Sequence, residues 1–166
     1  MSDFSINCFD FKDGEEIPKK SGYKHGNEIL DIFFLNVPQG TESLALIMDD
    51  PDAMKAVGKV WVHWLLANIQ NIVHDDEVNV LSRMTLDLDL NDLGRLVSEH
   101  IRGKNDFGEL EYGGPAPPDG RHTYIFKAYA LDAILDLKEG YSKQELEDTM
   151  KGHIIGEAKL TGTFAP

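Results

Sequence analysis

Residues 43–66 run SLALIMDDPDAMKAVGKVWVHWLL, two apolar stretches around an acidic turn, and the rest of the chain is organised about them. Leu44 to Met48 is apolar at every position, which predicts a strand buried on both faces rather than a half-solvated edge. It ends in Asp49, Asp50, Pro51 and Asp52. Pro51 biases the residue before it toward extended backbone and removes a ladder donor, so the strand stops with the Asp50 carboxylate at its lip. After a short glycine-containing connection, Val60 to Leu66 is rich in β-branched and aromatic residues, the composition of a second strand. Strict alternation puts Trp61, His63 and Leu65 on one face and Val60, Val62 and Trp64 on the other. His63 is then an imidazole in mid-strand, beside an indole and poorly hydrated.

Residues 112–126, YGGPAPPDGRHTYIF, form the other informative stretch. Six of the first nine are Gly or Pro, which cannot be helix. They make a stiff loop whose glycines let backbone N–H groups approach a ligand closely. The strand that follows places His122, Tyr124 and Phe126 on one face.

The pieces SLALIMDDPDA, WVHW, NDFGELEYGGPAPPDGRHTY and YALD together resemble the phosphatidylethanolamine-binding protein family, in its Raf kinase inhibitor-like bacterial and archaeal branch. The resemblance runs from Phe11 through Thr163. It implies an antiparallel β-sandwich with peripheral helices and a small anion-binding pocket. Asp50, Trp61, His63, Gly114, Pro118, His122 and Tyr124 stand at positions similar to the family's pocket residues. Three places depart from the family pattern. Met54 replaces a proline after the Asp-Pro-Asp turn, which loosens that turn. Thr123 stands where an arginine usually follows the second pocket histidine. Asn27 to Ile32 replaces a Ser-Pro-Pro-like segment.

With 166 residues, 42% of them hydrophobic and 27% charged, the chain has the size and balance of one globular domain. Its formal net charge of −13 argues against nucleic acid, whose affinity comes from Lys and Arg neutralising phosphates, and against stable docking on an anionic bilayer. One cysteine, Cys8, excludes an internal disulfide, and Met1 to Phe4 lacks the basic and apolar regions of a signal peptide, so the expected compartment is the cytoplasm. Cys8 itself is expected to be a plain early-strand residue.

The remaining segments fill in a mainly β chain. Asp13-Gly14 signals a hairpin within Phe9 to Ile17. Ile29 to Val37 is a strand candidate, and Pro38-Gln39-Gly40 a turn. Residues 75–104 are acidic and short of aromatics, which predicts a partly helical insertion on one side of the sandwich. In it Leu93, Leu96, Val97, His100 and Ile101 fall at helical spacing after Asn91 or Asp92. The same face could meet a second copy, leaving monomer or homodimer open. Asp75 to Glu77 is expected to be a solvated run, and His25, His74 and His100 to face solvent. Ser142 with Glu145 is a capping box for a helix reaching about Met150 and ended by Gly152, and Ile154 to Phe164 is a final strand. His153, beside the helix end, is placed to meet its carbonyls, and in some relatives this region borders the pocket.

Two histidines and a carboxylate beside a Gly/Pro loop can hold an oxyanion, ligate a metal or move a proton. As an anion site, Asp50 would orient the histidines, which donate to the anion together with the Tyr124 hydroxyl and N–H groups around Gly114, while Trp61 walls the pocket. Asp52 is expected to bond loop N–H groups rather than ligand. A two-His, one-carboxylate metal site is the second reading. Hydrolysis needs a Ser or Cys nucleophile near a histidine, and the candidate pocket residues include neither. The expectation is therefore a non-enzymatic binding protein for a small phosphorylated or carboxylated ligand, with no cofactor and no metal. The alternative is an inhibitor of a serine protease or kinase acting through surface loops.

Overall fold

A computed structural model describes residues 3–70, 82–83 and 100–166, residues 82–83 by their backbone alone. Two antiparallel sheets make the sandwich. The smaller has β1 (Ser5–Cys8) paired with β2 (Ile32–Leu35), and β2 with β5 (Ser82–Arg83). The larger contains β3 (Ser43–Asp50), β4 (Trp61–Ile69), β6 (Ile101–Arg102), β7 (His122–Leu131) and β8 (Ile154–Phe164), in the order β6-β4-β3-β7-β8. The two helices among the described residues are α1 (Ala53–Val57) and α2 (Lys143–Met150). Neither is long and apolar enough to cross a membrane.

The apolar run becomes β3, central in the larger sheet and buried at all eight positions. Leu44, Leu46 and Met48 face the smaller sheet and pack with Ile6, Ile32 and Phe34. Ala45 and Ile47 face the opposite side, where Leu146 and Met150 of α2 cover them. Both faces of β3 therefore remove apolar area from water, about 1.5–3 kcal/mol for each large side chain. A capped helix holds the second cover in place, with Ser142 Oγ accepting from the Glu145 N–H at 3.1 Å.

Alternation fails in β4. Met48 pairs with Trp64 but Asp49 with Val62, so His63 is the extra residue of a β-bulge. The side-chain phase shifts by one there. Trp64 and Leu66 join the inter-sheet core on the side of Trp61 and His63, whereas Leu65 joins Val62 on the opposite face. This corrects the faces assigned to Trp64 and Leu65 by strict alternation. A second register shift lies near Asn68, whose φ of 53° takes the left-handed region and whose side chain bonds the Leu135 N–H and C=O.

Other expectations change as well. Asp13-Gly14 closes no hairpin. Asp13 Oδ1 accepts from the Thr161 N–H, Gly14 N–H donates to Thr161 O, and Glu16 bridges Thr163, so this segment docks on β8. Met54 lies not in a loosened turn but in a short helix ended by Gly58 at φ 76°. The predicted insertion helix cannot include Ile101, which pairs with Ala67 in β6, and Gly103 and Lys104 bond Leu65 and Tyr141 of the main body. His74, Asp75 to Glu77, Asn91, Asp92, Leu93, Leu96 and Val97 lie outside the described residues.

Candidate functional site

The bulge delivers the site. Freed from the ladder, the His63 carbonyl accepts from the Gly113 N–H at 3.0 Å and from Asn105 Nδ2 at 3.3 Å. Asn105 organises the turn before it, its Oδ1 accepting from the N–H groups of Phe107 and Glu109 at 3.0 Å each. The Gly/Pro loop is thus fastened to mid-β4, and Phe107 is brought edge-on to His63 and Trp61, each at 5.5 Å between ring centroids.

A cavity of about 140 Å³ opens at this end of the larger sheet, room for a few waters or a group of phosphate or acetate size. Asp50, Trp61, His63, His122 and Tyr124 line it, with Pro118 and Ala116 of the loop, Phe107, and Ala53, Ala56 and Val57 of α1. Six of the seven sequence candidates therefore converge. Gly114 does not. Its N–H is spent on Asn27 Oδ1 at 2.7 Å, and a Cβ there would meet Ser21 O at 2.0 Å. Glycine is required at this position by close packing, not by approach to a ligand, and the N–H groups of Gly113 and Gly114 are consumed within the protein.

Asp50 is buried and uses both oxygens: Oδ1 accepts from the Ala53 N–H at 3.2 Å and Oδ2 from His122 Nδ1 at 2.6 Å. It orients His122 but not His63, contrary to the expectation that it orients both. The orienting partner of His63 is the Gly113 carbonyl, 2.7 Å from Nδ1. A carbonyl only accepts, so Nδ1 carries the proton. Burial lowers the His63 pKa despite that bond, leaving a neutral ring with a free lone pair on Nε2. His122 is the reverse case. Burial opposes its charge, but hydrogen bonds to Asp50 and Asp119 outweigh burial and raise its pKa. Its Nε2 lies 2.6 Å from Asp119 Oδ1, so both ring nitrogens face carboxylates.

Two buried donors in this wall have no hydrogen-bond partner among the described residues, Trp61 Nε1 and the Tyr124 hydroxyl. Burial and the nearby Asp50 charge raise the Tyr124 pKa and keep the phenol protonated. Asp50 and the Ala116 backbone act on that hydroxyl electrostatically without meeting hydrogen-bond geometry. Thr123 points away from His122 and Tyr124 along β7, and its N–H donates to Asp52 Oδ2 at 2.8 Å. The position where the family resemblance led to the expectation of arginine is thus outside the cavity lining, and Asp52 holds a backbone N–H of β7 rather than of the loop expected for it. Cys8 lies in β1, half-buried, its thiol pushed up to about 12 chiefly by burial. His153 bonds Asp132 at 2.9 Å, at the end of β7 opposite His122, and does not line the cavity. Among the described residues no group of three or more His, Cys, Asp or Glu is arranged to hold a metal ion.

Sequence reasoning missed Phe107 and Asp119. Both lie in the motif that carried the resemblance, where an aromatic after Asn105-Asp106 and a carboxylate three residues before His122 were the available signals.

The family model described as phosphatidylethanolamine-binding protein matches residues 8–165. A UPF0098 protein of Methanothermobacter thermautotrophicus is 42% identical over 154 residues, covering 93% of each chain. One from Chlamydia trachomatis is 35% identical, again over 93% of each. Among solved structures, a phosphatidylethanolamine-binding protein homologue from Chlamydia trachomatis superposes with a TM-score of 0.81 at 32% identity, covering 99% of this chain and 98% of that one. YbcL of Escherichia coli gives 0.79 at 27% identity, covering 98% of both.

Proposed function

We propose that this chain, which belongs to the phosphatidylethanolamine-binding protein family, is a non-enzymatic binding protein whose cavity takes a small, singly protonated oxyanion, a phosphate monoester or a comparable acidic group. The observation that carries this reading is the pair of orphaned donors, Trp61 Nε1 and Tyr124 O–H, in the wall of one small cavity. A buried donor without a partner costs about 1–3 kcal/mol, which a ligand oxygen would recover. The neutral His63 supplies the complement, since its Nε2 lone pair accepts a hydrogen bond from the ligand's remaining O–H. A group that accepts from two donors and donates to one acceptor is the description of a phosphate monoanion, whose second proton leaves near pH 6. The charge complement is His122, because neither Lys nor Arg lines the cavity. Ala56, Val57 and Phe107 suit an apolar substituent on that group. Neither serine nor cysteine is among the lining residues, which favours capture over covalent chemistry.

The test is a titration with inorganic phosphate, phosphoethanolamine and acetate near pH 6.5, followed by NMR of the His63 and His122 rings. Both rings should shift together and saturate, phosphate monoesters before acetate. Silence of both rings to all three would refute an oxyanion site.

A further inference from the structure

Two carboxylates bonded to His122 oppose an anion there: Asp50, which lines the cavity, and Asp119, which lies beside it on the turn. Asp119 and Asp50 both bond this ring, but they are not equivalent. Asp50 is 4% exposed at its side chain and has both oxygens committed, whereas Asp119 is 46% exposed and makes its single hydrogen bond among the described residues to His122 Nε2. It sits on the turn between Pro118, which lines the cavity, and Gly120, whose φ of 144° is open to glycine and strained for other residues. Asp119 can therefore leave His122 for solvent without exposing a core residue or orphaning a second bond. Its oxygen occupies the place on Nε2 that the proposed anion needs.

We infer that Asp119 is a resident carboxylate that fills the oxyanion position on His122 in the empty protein, so that ligand binds by exchange with the protein's own side chain. This rests on the oxyanion reading above. The consequence is selectivity. A bare weak anion gains little by replacing one carboxylate with another on the same imidazolium. A phosphate monoester gains the exchange plus the Trp61 and Tyr124 donors and the His63 acceptor. The Asp119 charge also opposes an anion arriving at His122, so an anion is held only where those further contacts exceed the cost of displacing it.

The experiment measures inorganic phosphate binding to the wild-type chain, Asp119→Ala and Asp119→Asn by calorimetry, with the His122 ring followed by NMR. Losing a competitor on a partly exposed pair corresponds to an affinity gain of about tenfold in Asp119→Ala. In the ligand-free variant the His122 pKa should fall, because a carboxylate partner is gone. Asp119→Asn, which keeps the side-chain shape, should also tighten binding if charge matters. Binding by Asp119→Ala but not by wild type would support the inference most directly. If wild type binds phosphate and Asp119→Ala binds equally or more weakly, the exchange idea is overturned while the oxyanion site stands. If phosphate moves neither ring in any of the three proteins, the site reading itself has failed, and the inference with it.

Discussion

Replacing Asp50 by Asn tests the charge logic of the site at its most buried point. Asp50 is 3% exposed, and its carboxylate accepts from two donors, His122 Nδ1–H at 2.6 Å and the Ala53 N–H at 3.2 Å, one on each oxygen. An amide of the same shape has only one acceptor oxygen. In either flip its NH2 faces one of those donors, and a buried hydrogen bond becomes a donor–donor contact. Losing a charge-assisted bond to a buried group is worth about 1.5–3 kcal/mol. Asp50→Asn should therefore lose about 2–3 kcal/mol in urea denaturation at pH 6. Its pH dependence has a definite sign. The folded-state pKa of His122 is raised above the ordinary 6.5, so its pairing stabilises fully below 6.5, and that contribution is lost as pH rises through the raised folded value. The deficit of Asp50→Asn should consequently be greatest on the acidic side and shrink toward pH 9, where a neutral His122 keeping its proton on Nε2 toward Asp119 can accept the new amide's N–H at Nδ1. His63, whose pKa burial lowers, also loses the opposing pull of the Asp50 charge in the variant, so its ring is driven further toward the neutral form and titrates on the acidic side of the range in which His122 is read. A deficit below about 1 kcal/mol at pH 6, or one flat from pH 6 to 9, would show that Asp50 and His122 are not the coupled pair described.

Two further substitutions separate ligand contacts from scaffold. Tyr124→Phe removes a hydroxyl with no partner, so thermal stability should hold or rise slightly, while phosphate affinity drops about fivefold to tenfold; a melting temperature lowered by more than a few degrees would mean that the hydroxyl has a protein partner after all. Gly114→Ala should destabilise by about 1–3 kcal/mol in denaturant, because the new Cβ would meet the Ser21 carbonyl at 2.0 Å and the Tyr23 nitrogen at 2.9 Å, backbone atoms that cannot swing aside; unchanged stability would contradict the packing assigned to that loop.

Much of the fold was legible because it rests on local signals. Five uninterrupted apolar positions, Leu44 to Met48, predict a doubly buried strand, and β3 is buried at all eight; alternation from His122 onward gives the buried face of β7, and Ser142 with Glu145 announces α2. The failures share a cause. Asp13-Gly14 is a hairpin signal in isolation, yet its groups find better partners on β8, a strand about 150 residues away in sequence. Likewise Ile101 continues a helical spacing but pairs with Ala67, because an open edge of β4 outweighs propensity. Periodicity reports what a segment can be alone; register with a distant neighbour is set by the neighbour.

The candidate site shows the same division at the level of single atoms. Which residues gather was readable from the motifs, and six of seven line one cavity. What each atom does was not, because it turns on the bulge at His63. Without that extra residue the β4 ladder would consume the peptide groups that fasten the Gly/Pro loop, and Trp64 would leave the core. With it, the Gly113 carbonyl accepts from the Nδ1–H of His63, and the N–H groups of Gly113 and Gly114 are spent on the His63 carbonyl and on Asn27. In the proposed reading, recognition of an oxyanion therefore falls mainly on side chains. It is divided between a charged histidine between two carboxylates, a neutral histidine with a free lone pair, and two orphaned donors. Under the proposed oxyanion reading, that division makes protonation state part of recognition: the cavity would fit an oxyanion that keeps one proton and would lose that fit when the ligand loses its last one.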